Sequence, residues 1–239
     1  MSARPRLALF VNQSGNFLTH RTHLAEAAQA AGYDVHLVTR LTHDPQLIER
    51  HGVTVHHTEF PRRLRNPWVE WRAVQNLARI YKRISPDVIH HFSAKGILLG
   101  SLAARRCGAN HVVNTFTGLG LAFSGSGKRA WLKRTLAQRA LRKAMKSPEW
   151  QVTFQNPEDM QQLISAGVVG KDCCRLIRGS GVDVDEFSVQ PEPKGTAQVM
   201  FASRLLWPKG VAEFVEAARQ LTDRGTDARF VLVGGTDER

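Results

Sequence analysis

Short aliphatic runs alternate along this chain with longer stretches of helical periodicity. RLALFVN (6–12) comes first and runs into a turn-forming NQSGN. Leu24, Ala27, Ala28 and Ala31 then recur at helical spacing, and Gly32 closes that stretch. Further strand-like runs fall at 33–39, at 53–60 after a short helix containing Gln46 to Arg50, and at 87–92, 110–116, 150–155 and 173–177. Helical patterns fill the intervals: 68–84, stopping before Pro86, one starting near Lys95, 129–146, and one opening at Pro157. Repeated strand–helix–strand units predict an α/β fold, a Rossmann-type parallel sheet with helices on both faces.

The rhythm breaks at VQPEPKGT (189–196), where two prolines, a glycine and charges predict a linker. Residues 1–188 then form the first domain. Residues 197–239 begin a second Rossmann-like domain with one strand–helix–strand unit, and such a unit is too small to bury a core alone. The second domain is therefore expected to be incomplete. The chain has 239 residues, 42% of them hydrophobic, and no apolar run near the ~20 residues that cross a bilayer. Arg4 and Arg6 precede LALFV, but that run is too short for a signal-peptide core, so a cytoplasmic location is expected. Cys107, Cys173 and Cys174 suggest neither a disulfide framework nor zinc spacing. The net charge of +12 predicts an anionic partner: nucleic acid, anionic lipid or a phosphorylated substrate.

Ligands on parallel sheets bind where loops converge at the carboxyl ends of the strands. Here those loops are NQSGNF, HFSAKG, TFTGLG, FQNPED and GSGVDVDEF. In the first, Gly15 either lets backbone amides approach a phosphate or makes an ordinary turn. In the last, Asp183, Asp185 and Glu186 either bind a cation or, the favoured reading, form a capped turn leading to a buried Phe187. In RLLWPKG (204–210), Arg204 and Lys209 stand between a strand and a helix. They suit a diphosphate or are simply solvated cations. Residues 127–147 carry eight basic side chains, among them Lys128, Arg129, Lys133 and Arg134, and no acidic one. Trp131, Leu132, Leu136 and Leu141 recur there at helical spacing. Such a basic amphipathic helix lies on anionic membrane or packs its stripe on the sheet, and the two are compatible. Arg62 to Arg83, with Trp68 and Trp71, is a second basic, tryptophan-bearing stretch. No zinc-finger, RRM or KH pattern is present, so no nucleic-acid partner is expected. HExxH, GxSxG and P-loop patterns are likewise missing. An NAD(P) site would need GxGxxG after the first strand and an acidic residue ending the second, where Thr39 and Arg40 stand.

Five segments in order, 17–39, 90–123, 154–160, 179–187 and 202–221, resemble the family 4 retaining glycosyltransferases of the GT-B fold. Within that family the likeness is to bacterial enzymes that extend undecaprenyl-diphosphate-linked sugars. The resemblance implies transfer from a nucleotide-diphosphate donor, a UDP-sugar, onto a lipid-diphosphate-linked saccharide, with retention, without metal or cofactor, at the inner face of the plasma membrane. It implies donor-phosphate roles for Arg204, Lys209 and Gly15. His20, Arg21, Lys95, Thr117 and Gly118 fall in rim segments and are acceptor-side candidates. The membrane-surface candidates are Lys128, Arg129, Trp131, Lys133 and Arg134. The family's Glu-x7-Glu motif is not among these residues, so the chain alone is expected to be a truncated form with little activity. A non-catalytic module that binds a lipid-linked glycan or a partner is the alternative.

Overall fold

The computed structural model describes residues 4–60, 66–120, 123, 127–147, 149–185 and 187–236. Arg62, Arg63, Arg65 and Glu186 lie outside these residues. The chain divides into two compact units, the first ending at Gly181 and the second beginning at Val182.

Among the described residues of the first unit, seven strands form one parallel sheet. They are β1 (Arg6–Gln13), β2 (Asp34–Arg40), β3 (Thr54–His57), β4 (Val88–Phe92), β5 (His111–Phe116), β6 (Gln151–Phe154) and β7 (Cys174–Leu176). Their order is β3-β2-β1-β4-β5-β6-β7. Chain order reverses between β1 and β4, which makes that pair the switch point of the sheet. The central strands are buried on both faces, which is why Leu7 to Val11 reads as a continuous apolar run.

Alternation along the strands separates two cores. Leu7, Leu9, Val11, Val35 and Leu37 pack with Phe17, Ala25 and Ile48 from α1 (Ser14–His20), α2 (Thr22–Ala30) and α3 (Pro45–Glu49). Ala8, Phe10, Val38, Ile89 and Phe154 face the other way. They meet α4 (Pro67–Ile84), α5 (Ala94–Cys107), α6 (Lys128–Ala144) and α7 (Pro157–Ser165). Each fully enclosed aromatic or aliphatic side chain contributes roughly 1.5–3 kcal/mol over an exposed one. Local chemistry sets the helix ends. Asn66 accepts the Trp68 N–H ahead of Pro67, and Asn156 accepts the Asp159 N–H at 2.7 Å.

Two local expectations are corrected. NQSGNF is not a loop: β1 runs to Gln13 and α1 begins at Ser14. Phe17 is fully buried and draws this stretch onto the core, while Ser14 Oγ accepts the N–H groups of Thr42 and His43. The turn that leads to Phe187 is capped, since Asp185 N–H donates to Asp183 Oδ1, but Phe187 itself is exposed.

The second unit pairs β8 (Ala197–Ala202) with β9 (Ala228–Val233) in parallel, with α8 (Val211–Asp223) between them in sequence. Phe214 of α8 packs between Phe201 and Phe230, with ring centroids 5.5 and 6.2 Å away. Gly234 is required where the two strands end. A β-carbon there would stand 1.8 Å from the Ser203 carbonyl oxygen.

Candidate functional site

The switch point opens into a crevice of about 340 Å³ at the carboxyl ends of the strands of the first unit. Val11 and Asn12 come from the end of β1, and Phe92 and Ser93 from the end of β4. Thr117 follows β5, Gln155 follows β6, and Ser180 lies beyond β7. Asn16, His20 and Arg21 complete the lining from α1 and its end. The place follows from topology, because β1 and β4 send their following helices to opposite faces and leave a gap between them.

Arg21 is the centre of the crevice's electrostatics. Its side chain is enclosed, only 9% exposed, and its guanidinium lies 4.4 Å from the Phe92 ring centroid. Nη1 donates to Ser180 Oγ at 2.9 Å, and Gln155 Nε2 donates to the same oxygen at 3.1 Å. Among the described residues no carboxylate pairs with Arg21. Burial holds its pKa below the ordinary guanidinium value, yet an arginine stays protonated in water near neutrality. A desolvated cation without a counter-ion attracts an anion strongly, because little water screens it.

The wall opposite is held by a strained residue. Ser93 has φ +68°, a region that side-chain-bearing residues rarely adopt, and it caps α5 by accepting the Gly96 N–H. Asn12 Nδ2 donates to Ser93 Oγ at 2.7 Å, while Asn12 Oδ1 is buried without a partner. Beneath Phe92, the His90 ring stacks at 4.2 Å between centroids, and its Nε2 meets Thr115 Oγ1 at 2.7 Å. Desolvation lowers the His90 pKa to about 3, with the charges of His91 and Arg21 adding to the effect. His90 is therefore neutral at physiological pH and places no second cation under the first.

Of the acceptor-side candidates, His20, Arg21 and Thr117 line the crevice. Lys95 does not. Its ammonium lies 3.4 Å from Glu70 and 5.0 Å from the Phe60 ring centroid, and burial lowers its pKa against the pull of Glu70. Gly118 is next to Thr117 with φ +137° and is outside the lining. Gly15 is in α1, and its N–H reaches Thr42 Oγ1. A β-carbon on Gly15 would stand 2.8 Å from His43 Cε1, so the glycine admits that ring. In the second unit, Arg204 lies past β8 and Lys209 ends a short 3-10 turn, both exposed, ahead of the α8 N-terminus. Asn12, Asn16, Phe92, Ser93, Gln155 and Ser180 belong to the crevice without having stood out in the sequence. Several of them share one signal: they stand at or just after the end of an aliphatic run.

A family profile described as Glycosyl transferase 4-like matches residues 6–147, the stretch that carries β1 to β5 and the crevice's switch point. The chain belongs to this glycosyl transferase 4-like family. Among its relatives is a protein of Campylobacter jejuni named N,N'-diacetylbacillosaminyl-diphospho-undecaprenol alpha-1,3-N-acetylgalactosaminyltransferase. The two are 27% identical over 243 residues, which cover 96% of this chain and 63% of that protein. A glycosyltransferase from Rickettsia africae has the same fold with a TM-score of 0.67 at 18% identity, covering 98% of this chain and 61% of its own. So does HepE of Anabaena, solved with UDP and glucose, with a TM-score of 0.66 at 14% identity over 97% of this chain and 69% of that one. The chain thus spans less than two thirds of the length of its curated relative, and its parallel seven-stranded sheet is of the GT-B, Rossmann-like kind.

Proposed function

We propose that this member of the glycosyl transferase 4-like family is the acceptor-side portion of a retaining glycosyltransferase, with the start of its donor-binding half. The transferred sugar comes from a nucleotide-diphosphate donor, a UDP-sugar, and goes to a saccharide carried on a lipid diphosphate. The observation that carries this reading is Arg21, a cation enclosed at the switch point without a carboxylate partner among the described residues. Such a group suits the phosphate of an acceptor, with Ser180, Asn16 and His20 around it. The name of the Campylobacter relative supports the acceptor class, and the family resemblance supports retention.

Breaking the donor's anomeric C–O bond leaves the electron pair on the departing diphosphate. Fixed cations and helix amides stabilise that charge as it develops. Arg204, Lys209 and the α8 N-terminus offer these groups in the second unit, so the reading assigns the leaving charge to side chains rather than to a metal. No helix among the described residues is long and apolar enough to cross a membrane. Contact with a lipid-linked acceptor then falls to a surface. On α6 only the C-terminal half is seated, with Leu141 and Ala144 buried. Trp131, Leu132 and Leu136 remain more than half exposed beside Lys128, Arg129, Lys133 and Arg134. Exposed apolar groups among cations are the pattern of a helix resting on anionic lipid at the inner membrane face.

Calorimetric titration of the chain with UDP and with a water-soluble prenyl-diphosphate-linked saccharide tests the reading. Both are expected to bind. Arg21→Ala should weaken the saccharide at least about tenfold, and Arg204→Ala with Lys209→Ala should abolish UDP binding alone. Saccharide affinity untouched by Arg21→Ala would remove the crevice assignment. Saccharide binding without any UDP affinity would leave a binding module in place of a transferase.

A further inference from the structure

A second concavity in the first unit, about 860 Å³, lies between α4 and the carboxyl ends of β2 and β3. Arg40, Arg72 and Arg79 line it, and Glu59 is the one carboxylate in its described lining. That carboxylate is exposed and already meets His57 Nε2 at 3.0 Å. Arg40 Nε is shut off from water and has no partner. That nitrogen is closed to a ligand as well as to water, so Arg40 would meet a phosphate through its terminal guanidinium nitrogens. Arg72 and Arg79 are two turns apart on α4, on the order of 10 Å along its axis, while Arg40 comes from the sheet.

Beside these charges the groove is lined by the amides of Gln75 and Asn76 and by an apolar wall. Phe60 and Ala73 are buried, and Val69 and Trp71 form a half-exposed wall. That wall continues outward to Trp68, 73% exposed and edge-on to Trp71 at 6.4 Å. A soluble sugar phosphate would use the guanidiniums and leave the tryptophans wet. An amphiphile would use both.

We propose that this groove binds the headgroup of a phosphate-bearing anionic lipid, at a site separate from the Arg21 crevice. The three guanidiniums take the phosphate oxygens, for which their forked donors are shaped. Trp71 and Val69 cover the first methylenes of the acyl chains, and Trp68 extends that contact. The inference rests on the reading that the chain works at a membrane. It also fits the topology, since α4 starts from the carboxyl edge of the sheet, the edge that carries the crevice.

The test uses short-chain phosphatidylglycerol kept monomeric, so that no membrane is needed, with tryptophan fluorescence and calorimetry as readouts. Saturable binding is expected, with short-chain phosphatidylcholine and glycerol 3-phosphate each at least tenfold weaker. Arg72 and Arg79 are exposed, so Arg72→Gln with Arg79→Gln should leave the melting temperature unchanged and weaken phosphatidylglycerol at least tenfold. Trp71→Ala should weaken phosphatidylglycerol and leave glycerol 3-phosphate as it was. Equal affinity for glycerol 3-phosphate and phosphatidylglycerol would overturn the lipid site in favour of a generic anion site. Phosphatidylglycerol binding indifferent to the double arginine variant would overturn the groove itself. Vesicle binding by α6 variants tests the membrane reading separately, so failure of one is distinguishable from failure of the other.

Discussion

The two units of this chain use the same strand–helix–strand repeat and bury it to different extents. In the first, both sheet faces carry helices, and Phe10, Phe17, Phe116 and Phe154 are fully enclosed. In the second, none of the described residues is buried, although α8 packs Phe214 on both strands. The repeat itself therefore confers little stability. Burial comes from the number of layers and neighbours that a βα unit acquires, since a two-stranded sheet under one helix leaves its other face in water. The candidate functions divide along the same line. Arg21 is held by a core that fixes its surroundings, while Arg204 and Lys209 are exposed on a unit with no buried residue among those described.

Core truncation should break this symmetry most plainly. Phe154 stacks on Phe116 at 5.1 Å, so Phe154→Ala should cost the first unit about 3–5 kcal/mol. Phe230→Ala, at a partly buried ring, should cost the second unit less than that. Urea unfolding followed by circular dichroism measures both, and equal losses would show that the second unit has a core of its own.

Acid should then separate the units. The pKa of His91 is lowered to about 4 by desolvation, against an Asn114 hydrogen bond that raises it, and that of His90 to about 3. Both pKa values lie below the unfolded value near 6.5, so the unfolded chain binds the protons first. Full stability is present above pH 6.5. It falls as pH drops toward 4, on the order of 1 kcal/mol per pH unit for each histidine. Residues 182–239 contain no histidine, so the second unit should not share this loss. Hydrogen exchange at pH 7 and pH 5 reads the two units independently. A melting temperature of the first unit that is flat across this window would mean that neither ring is held neutral.

The smallest effect belongs to helix capping. Asn156 accepts the Asp159 N–H and starts α7, so Asn156→Ala should cost the first unit about 1 kcal/mol. In α8 the capping position is Gly210, with φ +86° and no side-chain cap to lose, so Gly210→Ala acts through backbone strain alone. Thermal melts of the two variants would sharpen the contrast between a capped helix on a core and an uncapped one without it.

How far the sequence could be read follows from the range of the forces involved. Strand and helix periodicity is local, and the strands β1 to β9 and the helices α2 to α8 were legible as such, together with the parallel sheet. NQSGNF was misread because the partner that makes α1 worth forming is the distant core under Phe17, while its Gly and Asn residues speak for a turn. The rim loops were legible as a set, but the crevice was not. Arg21 and Ser180 are 159 positions apart and meet only because the switch point brings the two segments together. Likewise, periodicity placed Trp131, Leu132, Leu136 and Leu141 on one helix without saying which of them a neighbour would cover.

By itself the sequence determined most of the elements, their α/β order and the basic surface, because these are written in neighbouring residues and their spacing, and five of its segments carried the resemblance to the family. Tertiary structure decided that Arg21 is enclosed without a carboxylate partner among the described residues, that Ser93 is strained and which tryptophans face water. Those properties depend on residues remote in the chain that exclude solvent, and desolvation belongs to the packed assembly rather than to any segment of it.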